Sequence, residues 1–362
     1  MLTGFKERDN KMLEVKGNTI QRQITLPPAN LSLSLRNLML SELTESVFTE
    51  TPKINHVVET MRREMEITPL KKQERYVQIV GVDAGSQVVP LASIQYAVIA
   101  ALAYFLPYGR RFFLKPESLR QPYGDSMSYF RSLVDIKRET MLYETACGFL
   151  EDCPDIEVVF IDGPLAFSNW WACVGEEQDR QRLIDAVNKL LFVCHRMDIV
   201  VAGVVKRPTA RHLVHFLGLE QETEYTDGFL ILHVLEAGER TEVFSPKTGL
   251  RMATHSSSVM DAIEVPIYSS YIKTSRDWGT PPIRLDLPAY CIDEIDNVAN
   301  YCYSSSYGNG LPLPIVKADE EVKVSKRFIA DVYSEALSRV GRVNGDLSQL
   351  APFWGEGTWM GA

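Results

Sequence analysis

Two aspartates stand out because each one ends an apolar run and is followed closely by glycine. Asp83 ends the stretch YVQIVGVD at 76–83, and Asp162 ends the stretch EVVFID at 157–162, whose apolar residues are mostly β-branched. Runs rich in β-branched residues are typical of strands buried on both faces, and glycine lets the chain turn sharply at a strand's end. Strands of one sheet can bring such ends to the same edge, so we expect the two carboxylates to lie together. Paired carboxylates in a crevice indicate a bound divalent metal ion.

A third ligand is needed, because Mg²⁺ and Mn²⁺ prefer oxygen ligands and two carboxylates rarely suffice. The helix predicted over 126–150 offers two glutamates. Glu144 has Met141 and Cys147 as helical neighbours, and a glutamate on such an apolar face needs a partner. Glu139 competes for the same role. The residues alone leave the choice between the two glutamates open.

The elements that must position these residues alternate along the centre of the chain. Strands are predicted at 77–83, 94–105, 111–115, 157–162 and 198–205, with helices at 126–150 and 177–196. Strands alternating with helices indicate an α/β fold with βαβ units and a mainly parallel sheet. Later in the chain we predict a helix at 209–217, extended segments at 229–235 and 282–287, and a final helix at 316–339.

Composition divides the chain into three parts. Residues 1–70 have mixed charge and a short helical pattern at 55–65, which predicts an appended helical arm. Residues 71–345 carry the alternating elements and form the main domain. Residues 346–362 are expected to be a loosely ordered tail.

Overall composition excludes several classes of protein. With 45% apolar and 23% charged residues among 362, the chain is an ordinary globular protein. Its net charge of −9 argues against general electrostatic binding of nucleic acid or anionic lipid, although it allows a local basic track. Six cysteines without metal-binding spacing and an N-terminus without an apolar signal core favour a cytoplasmic protein. The apolar segment at 98–106 is too short for a membrane helix, so no membrane span is expected.

The order of motifs over residues 75–335 closely resembles the NurA family of nucleases. The shared motifs are GVDAGSQ at 81–87, FIDGPL at 160–165, VVAGVVKR at 200–207, YTD at 225–227, PIRLDLP at 282–288 and GLPLP at 310–314. This resemblance implies an RNase H-like mixed central sheet flanked by helices. It also implies a Mn²⁺-dependent (or Mg²⁺-dependent) DNA nuclease with two metal ions, a homodimer, and a partnership with the hexameric translocase HerA in processing DNA ends.

Carried over by matching residue, Asp83 and Asp162 take the places of the family's two metal-binding aspartates, and Glu144 best fits its glutamate. The family commonly has an Ala-His pair in the last helix, where this chain has an Ala-Asp pair ending at Asp319. A last-helix carboxylate can ligate metal in RNase H-like enzymes, whereas the alternative is an aspartate that stabilises the positive end of the helix dipole. The predicted catalytic metal ligands are therefore Asp83, Glu144, Asp162 and Asp319.

Holding DNA on an acidic protein requires positive residues near the metal. The predicted DNA-contacting residues are Lys206, Arg207, Lys273 and Arg284, and a solvated loop is the alternative for Lys273. Trp170 and Trp171 follow the second aspartate and can stack on an unpaired base, although buried packing is the simpler interpretation.

Two other functions compete with a nuclease. The GVDAGS motif is also similar to the first phosphate loop of sugar kinases, Hsp70 and actin, but the further phosphate and adenosine loops of that class are not evident in the sequence. The second alternative is a NurA-like scaffold subunit, weakened in catalysis by loss of the family's histidine, that assembles with a HerA-type motor. Retention of the predicted carboxylates favours the nuclease.

Overall fold

The structure, a computed structural model, describes residues 31–73, 75–91, 94–122, 127–153, 155–246, 259–277, 279–343 and 345–350. Within these residues the chain forms eight α-helices and ten β-strands. The helices are α1 (Leu31–Glu64), α2 (Met127–Asp152), α3 (Glu177–Arg196), α4 (His212–Leu217), α5 (Asp227–Val234), α6 (Ile295–Ser305), α7 (Leu313–Val322) and α8 (Lys326–Arg342). The strands are β1 (Ile67–Pro69), β2 (Ile79–Pro90), β3 (Ile94–Leu106), β4 (Arg110–Phe112), β5 (Glu117–Pro122), β6 (Val158–Ile161), β7 (Val200–Val205), β8 (Glu239–Thr241), β9 (Ile267–Lys273) and β10 (Ile283–Pro288).

The chain divides into two units, Met1–Lys53 and Ile54–Ala362. The described part of the first unit is the N-terminal portion of α1. The second unit contains the sheet, and it also contains residues 54–70, which the sequence assigned to the arm. Strand β1 explains this placement, because it pairs with β8 as one edge of the sheet. Of the predicted tail, residues 351–362 lie outside the described residues.

The described strands form one mixed sheet in the order β1-β8-β9-β10-β7-β6-β2-β3-β4, with β5 paired to β3. At its centre β2, β6 and β7 run parallel to one another. On one side, β3 pairs antiparallel with β2, and β4 pairs antiparallel with β3. The predicted RNase H-like mixed sheet flanked by helices is confirmed by this arrangement. The mainly parallel sheet predicted from the alternation of strands and helices is wrong, because only the β2–β6 and β6–β7 pairings of the described strands are parallel.

Helices cover both faces of the central strands, as burial of a parallel sheet requires. All four residues of β6 are buried and alternate between two hydrophobic clusters. Val159 and Ile161 pack with residues of α2 and α3, whereas Val158 and Phe160 pack with residues of α6 and α7. The edge at which β6 ends therefore lies between two helical layers.

Two predicted elements are wrong. The apolar run at 229–235 is not a strand but most of α5, because Thr226 caps the helix by accepting the N–H of Phe229 and the helix buries Leu230 and Ile231 in a separate core cluster. The single final helix at 316–339 is two helices, α7 and α8, and Ser325 begins the second by accepting the Phe328 N–H at 3.1 Å. No helix in the described ranges has the length and apolar character needed to cross a membrane.

Candidate metal centre

Asp83 lies inside β2 rather than at its end, contrary to the sequence prediction. Strand β2 pairs with β6 only from Ile79 to Val82 and then continues beside β3 to Pro90. The strand that stops at this level is β6, and Asp162 is its next residue. The Asp162 N–H donates to the carbonyl of Val82 at 2.9 Å, so the parallel pairing itself places the two aspartates side by side.

Helix α7 lies against β2 because two glycines allow close approach of the backbones. Gly81, Asp83 and Gly85 face the same side of the strand, since side chains alternate with a period of two. A Cβ added at Gly81 would collide with the carbonyl oxygen of Pro314 near the start of α7. A Cβ at Gly85 would lie 2.8 Å from the carbonyl oxygen of Val322, where the helix ends. The helix thus crosses directly over Asp83.

This packing brings Asp319, a residue of α7, to the two sheet aspartates. One carboxylate oxygen from each of Asp83, Asp162 and Asp319 lies within 4.8 Å of the others. The first two side chains are about nine-tenths buried, whereas about half of the Asp319 side chain is exposed. The three line a cleft of about 410 Å³ that opens to solvent. A cation can therefore reach a cluster of oxygen ligands that is buried on one side.

Lys206, the residue after β7, places its ammonium among these three carboxylates. Its Nζ contacts the Asp162 carboxylate, lies 2.8 Å from Asp319 Oδ1, and lies 3.8 Å from Asp83 Oδ2. Three hard oxygen donors around one positive charge form a donor set that suits Mg²⁺ or Mn²⁺. The ammonium of Lys206 offsets part of the negative charge of this donor set.

The electrostatics of the cluster agree with its geometry. Burial, with the charge of Asp162 added, raises the pKa of Asp83 well above the usual carboxyl range. Burial also raises the pKa of Asp162, and the Lys206 charge opposes that rise. Burial acts in the same direction on Asp319, but the hydrogen bond and charge of Lys206 outweigh it and hold its pKa below the ordinary value. Burial lowers the pKa of Lys206, but the aspartates reverse this effect and raise it overall.

The two candidate glutamates of α2 have different surroundings. Glu144 is bound by Arg182, whose Nε and a terminal nitrogen each lie 2.8 Å from its carboxylate, on the side of α2 that faces α3. Glu139 is buried and lines the same cleft as the three aspartates. Its Oε1 would lie 2.6 Å from a Cβ added at Gly163, the residue after Asp162. The structure therefore places Glu139, rather than Glu144, in the cleft that the three aspartates line.

Glu139 also has the electrostatic character of a residue at such a centre. Burial raises its pKa to about 7, although Arg138 and a hydrogen bond from Tyr143 oppose the shift. The two glutamates are five positions apart, a spacing that turns them to different sides of a helix. The helical pattern alone could not say which side faces the sheet edge.

The four predicted DNA-contacting residues are dispersed. Lys206 lies in the carboxylate cluster, and Arg207, the next residue, is exposed at the rim of a second cleft. Lys273 donates from Nζ to the carbonyls of Leu232 and Leu235 at 2.9 Å each and so caps the C-terminus of α5. The structure thus gives Lys273 a structural role.

Arg284 is buried and is also structural. It makes two hydrogen bonds to Asp286, at 2.8 and 2.9 Å, and donates to the carbonyl of Ala166 at 2.9 Å. Asp286 in turn accepts the N–H groups of Leu165 and Ala166. This buried pair, which the PIRLDLP motif encodes, fixes the segment that follows Asp162.

A mixed sheet of this topology with a carboxylate cluster at the end of β6 defines an α/β protein with an RNase H-like core and a candidate divalent-metal site. The family model of the NurA domain matches residues 77–324, and the chain belongs to this family. No curated protein sequence gives a significant match to the chain.

Solved structures agree with the family at the level of the fold. A NurA nuclease from Sulfolobus solfataricus superposes with a TM-score of 0.61 at 14% identity, over 84% of this chain and 96% of that one. A structure of NurA with manganese has a TM-score of 0.53 at 12% identity, over 84% of this chain and 98% of that one. A further NurA structure gives 0.50 at 12% identity and covers 88% of this chain and all of the other.

Proposed function

We infer that this protein is a divalent-metal-dependent nuclease that hydrolyses phosphodiester bonds in DNA. The observation that carries the inference is the convergence of Asp83, Asp162 and Asp319 within 4.8 Å in an open cleft. Two further findings, membership of the NurA family and a NurA structure of the same fold solved with manganese, support Mn²⁺ as the ion, with Mg²⁺ as the alternative.

The ligand set we propose is Asp83, Asp162 and Asp319 with Glu139 as a fourth carboxylate. A divalent cation bound there would activate a water molecule and stabilise the departing oxygen, and two ions would divide these tasks. The Asp83 side chain interacts directly with those of both Asp162 and Asp319, so we propose it as the shared ligand. Asp319, which stands where the family commonly has histidine, supplies its carboxylate from the solvent side of the cleft.

Lys206 offsets part of the negative charge of the cluster when metal is not bound. Three carboxylates this close repel one another, and the ammonium reduces that repulsion. Because Lys206 lies beside the ligands, its ammonium also stands where a scissile phosphate would be attracted. Its proposed role in DNA binding is thus exerted at the metal centre itself.

The decisive experiment is digestion of linear single- and double-stranded DNA with and without Mn²⁺. Asp83→Asn and Asp319→Asn are each expected to lower the rate by more than the roughly 10- to 100-fold that follows loss of an outer-shell partner of a metal. Asp331→Asn, at an exposed position on α8, is the matched control and is expected to cleave at the wild-type rate. Wild-type protein that does not cleave, either alone or with a translocase, would favour the scaffold alternative.

The finer predictions follow from the family and await their own tests. We propose that the protein acts as a homodimer with a HerA-type hexameric translocase in processing DNA ends, in repair or in defence against foreign DNA, in the cytoplasm. Light scattering of the protein alone and with such a translocase would test the assembly. Binding of radiolabelled ATP to the isolated protein would instead favour the phosphotransferase alternative.

A further inference from the structure

A second cleft lies beside the metal centre, and we propose that it binds an unpaired nucleotide of single-stranded DNA next to the bond that is cut. This inference rests on the proposed nuclease function and specifies the substrate of the same site. The cleft has a volume of about 450 Å³, within the range of small-molecule sites. Its walls are the segment after β6, the segment after β7, helix α4 and Arg284.

The two sites are adjacent along two neighbouring strands. Pro164 lines the second cleft and follows Asp162 by two residues, so their backbones are separated by at most about 7 Å. Arg207 also lines it and directly follows Lys206, whose ammonium lies in the metal centre. When a DNA strand binds with one phosphate at the carboxylates, its neighbouring nucleotide therefore lies within reach of this cleft.

The lining of the cleft suits a nucleotide. It presents the indole of Trp170, the guanidinium of Arg207 and the imidazole of His215, and none of the described residues that line it is acidic. This local composition contrasts with the net charge of −9 on the whole chain. Arg207 is exposed, and no carboxylate of the described residues pairs with it, so its charge is available to a phosphate. An aromatic surface beside a positive charge is the combination by which proteins hold single strands.

Trp170 is presented on a rigid support. Its side chain is 51% exposed, whereas Trp171 beside it is buried and contacts it edge-on at 4.9 Å between ring centroids. Trp171 in turn packs edge-on against buried Phe167 at 5.8 Å. The preceding segment is pinned by the buried pair of Arg284 and Asp286. An exposed indole held in this way loses little conformational freedom when a base stacks on it.

Stacking on Trp170 requires a base that is not already stacked and paired in a duplex. The cleft is therefore expected to discriminate in favour of single strands. Stacking on one aromatic side chain contributes enough that its removal lowers affinity by about tenfold or more. Phosphate contacts from Arg207 carry no such discrimination and act on both forms of DNA.

The test is fluorescence anisotropy with a fluorescein-labelled oligothymidylate and with a labelled duplex of equal length, measured in EDTA so that no cleavage occurs. Trp170→Ala is expected to weaken single-strand binding about tenfold and to leave duplex binding unchanged, while Trp170→Phe restores most of the loss. Arg207→Gln is expected to weaken binding to both probes and to reduce the salt dependence by about one counterion. Phe192→Ala, which removes another exposed aromatic side chain, from α3, is the control and is expected to bind like wild type.

The outcomes separate this inference from the proposed function. Equal single-strand affinities for Trp170→Ala and wild type, or no binding of either probe by wild type, would overturn the inference even if Mn²⁺-dependent cleavage is observed. Conversely, a loss confined to single strands in Trp170→Ala would uphold the subsite even if the wild type did not cleave. An equal loss for both probes would assign Trp170 a general role in DNA contact and would refute strand discrimination.

Discussion

Replacing Lys206 with methionine tests whether its ammonium stabilises the cluster of three carboxylates. Methionine keeps most of the length of the side chain and removes the charge. In the metal-free protein this leaves Asp83, Asp162 and Asp319 without the cation that lies 2.8 Å from one and 3.8 Å from another. Loss of one partner from a buried ion pair costs about 3–5 kcal/mol. We expect the lower value, about 3 kcal/mol, because a quarter of the lysine side chain is in solvent.

This loss can be measured as a fall in the melting temperature. For a folding unit that spans Ile54–Ala362, a loss of about 3 kcal/mol corresponds to about 5 °C, from an unfolding entropy of about 2.1 cal/mol/K per residue. Mn²⁺ is expected to reverse the loss, because in Lys206→Met it no longer competes with the ammonium. If Mn²⁺ restores the whole loss of about 3 kcal/mol in the free energy of unfolding, it binds the variant about 100-fold more tightly than it binds wild type.

The assay is thermal unfolding in EDTA and across a Mn²⁺ titration. Lys317→Met is the control, since Lys317 forms an exposed pair with Glu320 on α7, and the loss of that solvent-screened pair is expected to leave the melting temperature close to that of wild type. Two results would refute the view that this lysine stabilises the carboxylate cluster. In the first, Lys206→Met has the same melting temperature as wild type in EDTA. In the second, Mn²⁺ raises the melting temperature of the variant no more than it raises that of wild type.

Three further predictions concern the carboxylates and their support. Glu139→Gln is expected to lower the rate of Mn²⁺-dependent cleavage at least tenfold, whereas Glu144→Gln is expected to cleave at the wild-type rate. A larger loss of rate in Glu144→Gln than in Glu139→Gln would favour Glu144 as the ligand, as the sequence predicted. Gly81→Ala is expected to lower the free energy of unfolding by about 1–3 kcal/mol in chemical denaturation and to weaken Mn²⁺ binding, because the new methyl group pushes α7 away from β2. An unchanged free energy of unfolding together with an unchanged Mn²⁺ affinity would contradict the packing argument. Because the pKa of Asp83 is raised, its carboxyl group keeps a proton above the usual carboxyl range, and this proton must leave when metal binds. The affinity for Mn²⁺ is therefore expected to rise with pH up to that raised pKa. Calorimetry in buffers of different ionisation enthalpy would detect the released proton, and identical heats in all buffers would contradict the prediction.

Local patterns in the sequence were sufficient for the elements whose burial is uniform. The run Val158–Ile161 is apolar at every position, as a central parallel strand must be, and the structure places it between two helical layers. The pattern failed for 229–235, where an equally apolar run is a helix. A short apolar run does not distinguish a buried strand from a buried helix, and here the cap at Thr226 and the surrounding core determine the outcome.

The sequence by itself determined the central strands β2, β6 and β7 and the proximity of Asp83 and Asp162, because both follow from neighbouring parallel strands with apolar runs. The family resemblance of the sequence also named Asp319 as a ligand, but only the tertiary structure decided that Lys206 lies among the three carboxylates and that Glu139, not Glu144, lines the cleft. Those contacts join residues that are far apart along the chain, and they depend on how closely α7 and α2 approach the sheet. The periodicity of the sequence indicates which residues share a face of a helix. The packing of side chains and of glycine backbones decides which part of the sheet that face contacts.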